Sequence, residues 1–527
     1  MKEVLQVKTV DIAKNFYEHG GNSLILIYFL SKILTEFEVN VLGENIRTMS
    51  ILEISTHISL RKNDQAQRKF NTQFSDNNIK GKSIEKIQFI ANRFSYFLKR
   101  ENNLEYWHVC SPVFEGDIDP TILKKSIDIL ISHYDDLRLG INIRERNHFI
   151  FGEKDMDSFI HIRYRNERDG DYKAFLESKI QQLRSSFTFD NCLFKVLLIT
   201  NKVKKASHMV LIAHHLLVDA YSFRMLLKDL VSLYKNHENL SLAYKLAKST
   251  TFSDFTEIYI QHQKKYEIEE WNYWRSLKWS EITYLPLIYS HGNNNIEKYT
   301  TYSVSSHPFS IDNDFGRIFN NIDHSENLII LLYAIGKSYQ RLTGHSKLCI
   351  AVLFHGRESF CDEINLSNTL GWFSETVPIL IDNTQSLEDQ LIDLRSQVIR
   401  ASSKGKSYGY LRYLSDNKTI RKELEINLYP QISFNFVPSS LRKYDYSSFK
   451  RCDSYSLGID NIVTTKRVFL LSGGAFIKDD NFIISWDYSH KNFEKKNIDN
   501  FSRDCMREYL LYIKSKLSML NGNSEIC

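Results

Sequence analysis

A long polar segment divides this chain of 527 residues into two unequal parts. The segment covers 61–83, reads RKNDQAQRKFNTQFSDNNIKGKS, and holds only two aromatic residues among charged, amide and hydroxyl side chains. Because so few apolar groups cannot offset the entropy lost on folding, we expect a linker here. The sequence therefore predicts a small unit over 1–60 and a large unit over 84–527.

The two units differ in their hydrophobic periodicity. The small unit has the three-to-four residue spacing of helices, carried by Leu24, Ile27, Tyr28, Leu30, Ile33 and Leu34. In the large unit, strand-like apolar runs at 195–200, 208–213, 348–353 and 481–486 alternate with helical patterns at 120–133, 223–237, 328–342 and 387–401. This pattern predicts a small all-α helical bundle followed by a large α/β domain.

Composition limits which partners and which cellular location we expect for this protein. The 68 basic and 63 acidic residues give a net charge of only +5 and are interspersed, which does not favour nucleic acid as a partner. The seven cysteines form no C-x-x-C pair, so we expect neither a disulfide framework nor a metal site. Apolar runs such as 24–30 are too short for a bilayer span, and the opening residues do not resemble a signal peptide. We expect a cytoplasmic protein that does not bind membranes.

Two stretches, 255–279 and 372–378, are rich in aromatic residues. Such clusters can line a ligand site, but aromatic side chains are more often used to fill a core or to pack two lobes together. We therefore expect both stretches to be buried for structural reasons.

The string FYEHGGNSL stands at the start of an apolar helical pattern. Gly20 and Gly21 permit a tight turn, Asn22 or Ser23 can cap the helix, and a helix N-terminus favours a phosphate group. By residue type alone, an ordinary capping serine is the commoner arrangement. The string resembles the F-F-E-L-G-G-H/D-S-L signature of peptidyl carrier domains in non-ribosomal peptide synthetases.

That resemblance implies a carrier (thiolation) domain over 1–60. Ser23 would receive a covalent 4′-phosphopantetheine cofactor from a phosphopantetheinyl transferase, and the terminal thiol would hold the substrate as a thioester. Carrier domains usually begin with a longer helix than KEVLQV provides, so we expect the first helix to be truncated.

A second constellation is MVLIAHHLLVDAYSFRMLLKDL, in which an apolar strand ends at His214 and His215 and Asp219 follows. A histidine at a strand end can face a cleft, where its imidazole is suited to proton transfer near neutral pH. A nearby carboxylate can orient the ring or pair with an arginine. A histidine pair by itself is more often structural, and the spaced aspartate strengthens the catalytic interpretation.

The string resembles the H-H-x-x-x-D-G signature of the condensation-domain superfamily, which shares the chloramphenicol acetyltransferase fold. The resemblance implies two lobes, about 84–265 and 266–527, with His215 as the catalytic histidine and His214 beside it. It implies a structural role for Asp219, for which we expect Arg357 as the ion-pair partner. Ala220 replaces the usual glycine, which predicts a slightly shifted turn.

Five strings favour the epimerization branch of this superfamily. In chain order, DAYSFRMLLKDL, FHGRESF, TLGWFSETVPIL, KGKSYGYLRYL and ISFNFV resemble its motifs. One position differs, because Leu353 stands where the family has a glutamate proposed as the second acid/base group. Other candidate cleft residues are His355, Glu358, Glu375, Tyr408 and Asn435.

Three functions remain open at this point. The first is an epimerase that inverts Cα of an aminoacyl or peptidyl thioester on Ser23, and the second is a condensation domain that forms an amide bond between carrier-bound substrates. The third is a catalytically silent module that docks a carrier. Leu353 favours the second and third, whereas the five strings favour the first. Expected partners are an upstream adenylation domain and the phosphopantetheinyl transferase, with a downstream condensation domain as a further candidate.

Overall fold

The computed structural model describes most of residues 108–522, parts of 1–68 and the pair 87–88. The longer stretches outside the described part are 20–25, 38–48, 69–86, 89–107, 239–249, 286–301, 311–318, 438–449, 453–468 and 523–527, and gaps of one to four residues interrupt the rest. Among the described helices, none combines the length and hydropathy that a bilayer span requires.

The described elements alternate along the chain. The strands are β1 (Ile87–Gln88), β2 (His108–Cys110), β3 (Val113–Gly116), β4 (Leu139–Asn142), β5 (Asn147–Ile150), β6 (Phe159–Tyr164), β7 (Phe194–Asn201), β8 (Ala206–His214), β9 (Tyr302–Ser310), β10 (Lys347–Phe354), β11 (Glu375–Asp382), β12 (Ile432–Val437), β13 (Lys450–Cys452), β14 (Leu471–Lys478) and β15 (Asn481–Ser489). The helices are α1 (Lys2–Leu5), α2 (Ile51–Arg68), α3 (Pro120–His133), α4 (Asp169–Arg184), α5 (Ala220–Lys235), α6 (Phe252–Ser276), α7 (His324–Thr343), α8 (Leu387–Lys404), α9 (Lys406–Tyr413), α10 (Lys418–Asn427) and α11 (Lys495–Gly522).

The N-terminal residues have a small apolar core of their own. Its buried members are Phe16, Leu26, Phe29, Leu30, Ile33 and Ile54. Helix α2 starts with a capping box, in which Glu53 N donates to Ser50 Oγ while the Glu53 carboxylate accepts from Ser50 N. The helix continues to Arg68, so 61–68 of the predicted linker is helical. Residues 69–83, Ser23 and most of the predicted helical pattern lie outside the described part, and the carrier bundle stays a prediction.

The first lobe is built on a mixed sheet in the order β13-β3-β8-β7-β6, with β2 also paired to β8. Strands β7 and β8 are almost entirely buried, which matches their continuous apolar sequence. Helix α3 packs against α5 and starts where Asp119 Oδ1 accepts from the Thr121 and Ile122 amides. The strand that leads to the predicted histidine therefore lies in the centre of a rigid sheet.

The second lobe contains a mixed sheet in the order β11-β10-β12-β14-β15-β9. Strands β12 and β15 alternate between buried and partly exposed residues, because α7, α8 and α11 cover one face of the sheet. Together with the first lobe, this sheet confirms the predicted α/β layers and the two-lobed architecture.

The boundary between the lobes differs from the predicted one at 265/266. Helix α6 runs without a break across that position, and its buried residues Phe252, Phe255, Tyr259 and Trp274 all belong to the core of the second lobe. Hydrophobic periodicity predicts a helix but not the core against which it packs. The predicted boundary is therefore wrong, and α6 belongs to the second lobe. Strand β13 lies late in the chain but belongs to the first lobe, because it pairs with β3.

Candidate active site

The two adjacent histidines occupy different environments at the end of β8. His214 is fully buried, and its Nδ1 accepts a hydrogen bond of 3.0 Å from Leu216 N, which closes the turn after the strand. His215 is only partly buried, and its ring lies edge-on to the Trp372 indole with 4.8 Å between the ring centroids. The geometry therefore gives His214 a structural position, and of the two imidazoles it is that of His215 that keeps exposed surface.

Asp219 caps helix α5 and joins it to the segment that precedes β11. Its Oδ1 accepts from Ser222 N at 2.8 Å, its Oδ2 accepts from Phe373 N at 3.0 Å, and its own amide donates to the Gly371 carbonyl at 3.2 Å. Ala220 is the first residue of the helix and needs only right-handed helical geometry there. The alanine is therefore compatible with this turn, which has no need of the glycine found in the family motif.

Arg357 forms the predicted ion pair with Asp219. The guanidinium Nη2 lies 3.3 Å from Asp219 Oδ1, and the exposed fractions of the two side chains are 0% and 4%. Nη1 donates to the carbonyls of Leu366 and Thr369, and the rings of Tyr221 and Phe373 stack over the guanidinium. The two Nη groups of Arg357 thus hold its own loop and the segment 366–369 against the start of α5.

The ion pair decides the charge of Asp219. Burial alone raises the pKa of this carboxyl, but the positive charge of Arg357 and the hydrogen bonds from Ser222 N and Phe373 N outweigh that effect. The net result is a pKa below the ordinary value of an aspartate. Asp219 is therefore ionised near neutral pH and directed into the protein, and its carboxylate is suited to structure rather than to proton transfer.

The segment around Gly371 and Trp372 connects the two lobes. Trp372 belongs to the core of the first lobe, whereas the next residue, Phe373, belongs to the core of the second. Ser222 Oγ donates to the Gly371 carbonyl at 2.6 Å and receives a hydrogen bond from Arg357 Nη2. The partly buried imidazole of His215 consequently lies at the junction of the lobes.

Leu353 lies near the end of β10 with 38% of its surface exposed, opposite the exposed Thr376 of β11. The hydrocarbon side chain has no group that could transfer a proton. Two residues farther along, His355 Nε2 lies 3.1 Å from Glu358 Oε1, and His355 Nδ1 accepts from Arg357 N at 3.2 Å. The hydrogen bond at Nδ1 and the nearby Glu358 carboxylate both lie within this loop, which favours a structural role for His355 and Glu358.

The remaining cleft candidates are spread over the second lobe. Glu375 is buried opposite Phe354 in the β10–β11 ladder, and Asn435 is partly buried on β12 opposite Gly474. Tyr408 packs in the core, where its hydroxyl accepts a hydrogen bond of 2.8 Å from Arg412 Nη1. Burial raises the pKa of Tyr408 far above its ordinary value. The structure therefore groups Asp219 with Arg357 and does not join these three candidates to that pair.

The structure adds Ser222 and Trp372 to the site. Both belong to strings that resemble family motifs, DAYSF and TLGWF, but residue type alone gave no reason to single them out. The prediction that 372–378 is buried fits Trp372, of which 7% is exposed, yet its contact with His215 could not be read from the sequence. Among the described residues, no group of histidine, cysteine and acidic side chains could hold a metal ion.

Comparison with known proteins gives a family match over most of the large unit. A family model described as Condensation domain matches residues 87–519. Surfactin synthase subunit 1 of Bacillus subtilis is 24% identical over 520 residues, which is 97% of this chain and 14% of that protein. Tyrocidine synthase 1 of Brevibacillus parabrevis is 22% identical over 535 residues, which is 97% of this chain and 47% of that protein. The chain thus spans less than half the length of each of these relatives.

Solved structures show the same fold. The epimerization domain from the third module of tyrocidine synthetase B aligns with a TM-score of 0.66 and 21% identity, covering 82% of this chain and 98% of that one. The condensation domain from the Monacolin K polyketide synthase aligns with a TM-score of 0.57 and 12% identity, covering 83% and 98%. These likenesses show the two-lobed fold that the histidine motif predicts. The family match begins at residue 87, so it has no bearing on the carrier predicted over 1–60.

Proposed function

This chain belongs to the condensation-domain family of non-ribosomal peptide synthesis, and we propose that it inverts Cα of an aminoacyl or peptidyl thioester carried on Ser23. The observation that carries the proposal is the position of His215, a partly buried imidazole at the lobe junction beside Trp372. The order of the five epimerization-like strings supports inversion over amide formation. An upstream adenylation domain would select the amino acid.

Inversion at Cα begins with a general base positioned next to the Cα hydrogen. His215 would take the proton from Cα, the C–H bond would break, and its electron pair would move onto the thioester carbonyl oxygen. Return of a proton to the opposite face of Cα completes the inversion. A phosphopantetheine arm would supply the thioester that makes the Cα hydrogen acidic. Ser23 lies outside the described residues, so its role remains part of the proposal.

The site contains one feature that slows the second half of this reaction. Leu353 stands where the resemblance implies a glutamate, and a hydrocarbon side chain cannot return a proton. Loss of one acid/base partner typically reduces a rate by about 100- to 10,000-fold. We expect His215 to exchange the Cα hydrogen with solvent faster than the centre inverts.

The test is to load Ser23 with an L-aminoacyl pantetheine in heavy water and follow two quantities after hydrolysis, deuterium uptake by mass spectrometry and the D:L ratio by chiral separation. The proposal expects uptake in the wild type, slower inversion, and neither in His215→Ala. A Ser23→Ala chain, which cannot be loaded, gives the background. Uptake that persists unchanged in His215→Ala would contradict the proposal.

Leu353 is also the specific observation that favours a second candidate. Amide formation needs no return of a proton to Cα. It therefore does not require an acid/base group at position 353, whereas inversion does. In this case His215 would assist attack of an acceptor amine on the thioester carbonyl. Supplying an acceptor aminoacyl carrier and analysing the products for a new amide separates the candidates. Amide formation without deuterium uptake would establish condensation and exclude inversion.

A further inference from the structure

Trp372 is fixed at its ring and at the backbone on both sides. The indole Nε1 donates to Ser374 Oγ at 3.0 Å, and only 7% of the residue is exposed. On one side the Gly371 carbonyl accepts from Ser222 Oγ at 2.6 Å, and on the other Phe373 N donates to Asp219 Oδ2 at 3.0 Å. The indole therefore has little freedom to move relative to the start of α5.

His215 stands beside this fixed ring. The two ring planes meet at 66° with 4.8 Å between centroids, the edge-to-face geometry that aromatic pairs favour. The imidazole of His215 is partly buried, and this contact sets the angle between its ring and the fixed indole. A catalytic group must be held within about half an ångström of its productive position, and about 1 Å of misplacement can cost 100-fold in rate.

We propose that Trp372 is a positioning residue that fixes the orientation of the His215 imidazole, and that Asp219 contributes by holding the backbone on which Trp372 stands. The proposal rests on the proposed role of His215 in proton transfer. It gives Asp219 an indirect role in catalysis. The Asp219 carboxylate accepts from the Phe373 amide, and the Asp219 backbone amide donates to the Gly371 carbonyl. The indole passes that restraint to the base.

A spectroscopic measurement tests the contact without any turnover. In protein labelled with ¹³C at histidine Cε1, the His215 resonance is assigned by its loss in His215→Ala. The ring current of Trp372 should displace this resonance from the position of a solvated histidine. Trp372→Leu should return it toward that position, and Trp372→Phe, which keeps an aromatic ring but loses the bond to Ser374, should retain part of the displacement.

Trp274 offers a matched control in the core of the second lobe. It is also buried, and its indole Nε1 donates to Ser407 Oγ at 3.1 Å. Trp274→Leu removes a tryptophan and an indole–serine hydrogen bond of the same kind, so it reports the effect of a generally weakened fold. The proposal expects the His215 resonance to stay in place in Trp274→Leu. An equal displacement in both variants, or none in Trp372→Leu, would overturn the positioning role.

Kinetics provide the second readout. At saturating substrate, Trp372→Leu should exchange the Cα hydrogen about 10- to 100-fold more slowly with KM within twofold of wild type, because orientation and not binding is lost. Trp372→Phe should recover much of the rate. A rise in KM with unchanged kcat would show that Trp372 serves substrate binding instead. If the wild-type protein exchanges no Cα hydrogen, the proposed function fails, while the resonance of His215 still decides whether Trp372 positions it.

Discussion

Arg357 crosses from the loop after β10 to the start of α5 and places Nη2 3.3 Å from Asp219 Oδ1, with both side chains almost completely removed from water. The pair brings together residues separated by 138 positions, at the junction of the lobes. Two charges taken out of water are costly unless each is satisfied, and here Arg357 also donates to two carbonyls while Asp219 accepts from two amides. The pair is therefore best tested by removing one partner.

Arg357→Met should lower the free energy of unfolding by about 3–5 kcal/mol, because it leaves the Asp219 carboxylate buried without its counter-charge. Chemical denaturation gives the value. Lys124→Ala is the control, since the Lys124–Asp128 pair is more than half exposed on both sides and should contribute less than about 1 kcal/mol. Equal losses in the two variants would show that the buried pair has no special role.

The stability that Asp219 contributes should depend on pH in one direction. Its pKa is lower in the folded protein than in the unfolded chain, so the contribution is present above about pH 4 and is lost as the pH falls through the folded value. The difference in unfolding free energy between wild type and Asp219→Asn should shrink below pH 4. Asp393, whose pKa burial raises, should show the opposite trend in Asp393→Asn. Parallel trends would contradict the assignment.

Substitution of His214 should mainly reduce stability, whereas substitution of His215 should mainly reduce activity. His214→Ala should destabilise the fold by about 1–3 kcal/mol, because Leu216 N loses its buried acceptor. His215→Ala should change stability by no more than about 1 kcal/mol while abolishing Cα exchange. Thermal melting and deuterium uptake on the same preparations give both quantities. Loss of exchange only in His214→Ala would reverse the roles of the two residues.

Leu353→Glu should raise the rate of inversion relative to exchange, because it places a proton-transfer group where the resemblance to epimerization domains implies a glutamate. The D:L ratio measured beside deuterium uptake gives the effect. Thr376→Glu is a matched control, since Thr376 lies directly opposite Leu353 on β11 and is also exposed. An equal response in both variants would mean that any nearby carboxylate suffices, and no response in either would remove Leu353 as the cause of slow inversion.

Incubation with coenzyme A and a broad phosphopantetheinyl transferase should add one pantetheine phosphate to the chain. Intact mass and peptide mapping should place it on Ser23. Ser23→Ala should abolish the addition, whereas Ser59→Ala, which alters an exposed serine of α2, should leave it unchanged. A modification that persists in Ser23→Ala would remove the carrier assignment for 1–60.

Some parts of this structure are fixed by local sequence. The apolar run before His214 was predicted to be a strand and is one, and the patterns at 328–342 and 387–401 are long enough to be helices on periodicity alone. The pair of Asp219 and Arg357 followed from a family resemblance and not from spacing, since no local rule joins residues so far apart. Helices and strands were predicted correctly where neighbouring residues determine them, and the long-range ion pair was predicted because a family motif contains it.

The lobe boundary and the contacts of Trp372 depend on which of the two hydrophobic cores each side chain packs into. The lobe boundary at 265/266 failed because α6 has the same helical pattern on either side of it, and packing alone assigns the helix to the second lobe. Trp372 was expected to be buried, but a tryptophan between two cores has no sequence signal that distinguishes it from its neighbour Phe373. Contacts between lobes are set by the tertiary arrangement, which periodicity does not contain.

The pairing of β13 with β3 affects how the protein is made. Synthesis reaches the end of β8 at His214, but the edge of that sheet stays open until Lys450–Cys452 leaves the ribosome. At about 5–20 residues per second, the intervening chain takes on the order of ten to fifty seconds to appear. During that interval β3 presents unpaired backbone groups to other nascent chains, which makes it a point of aggregation risk and a place where a chaperone would act.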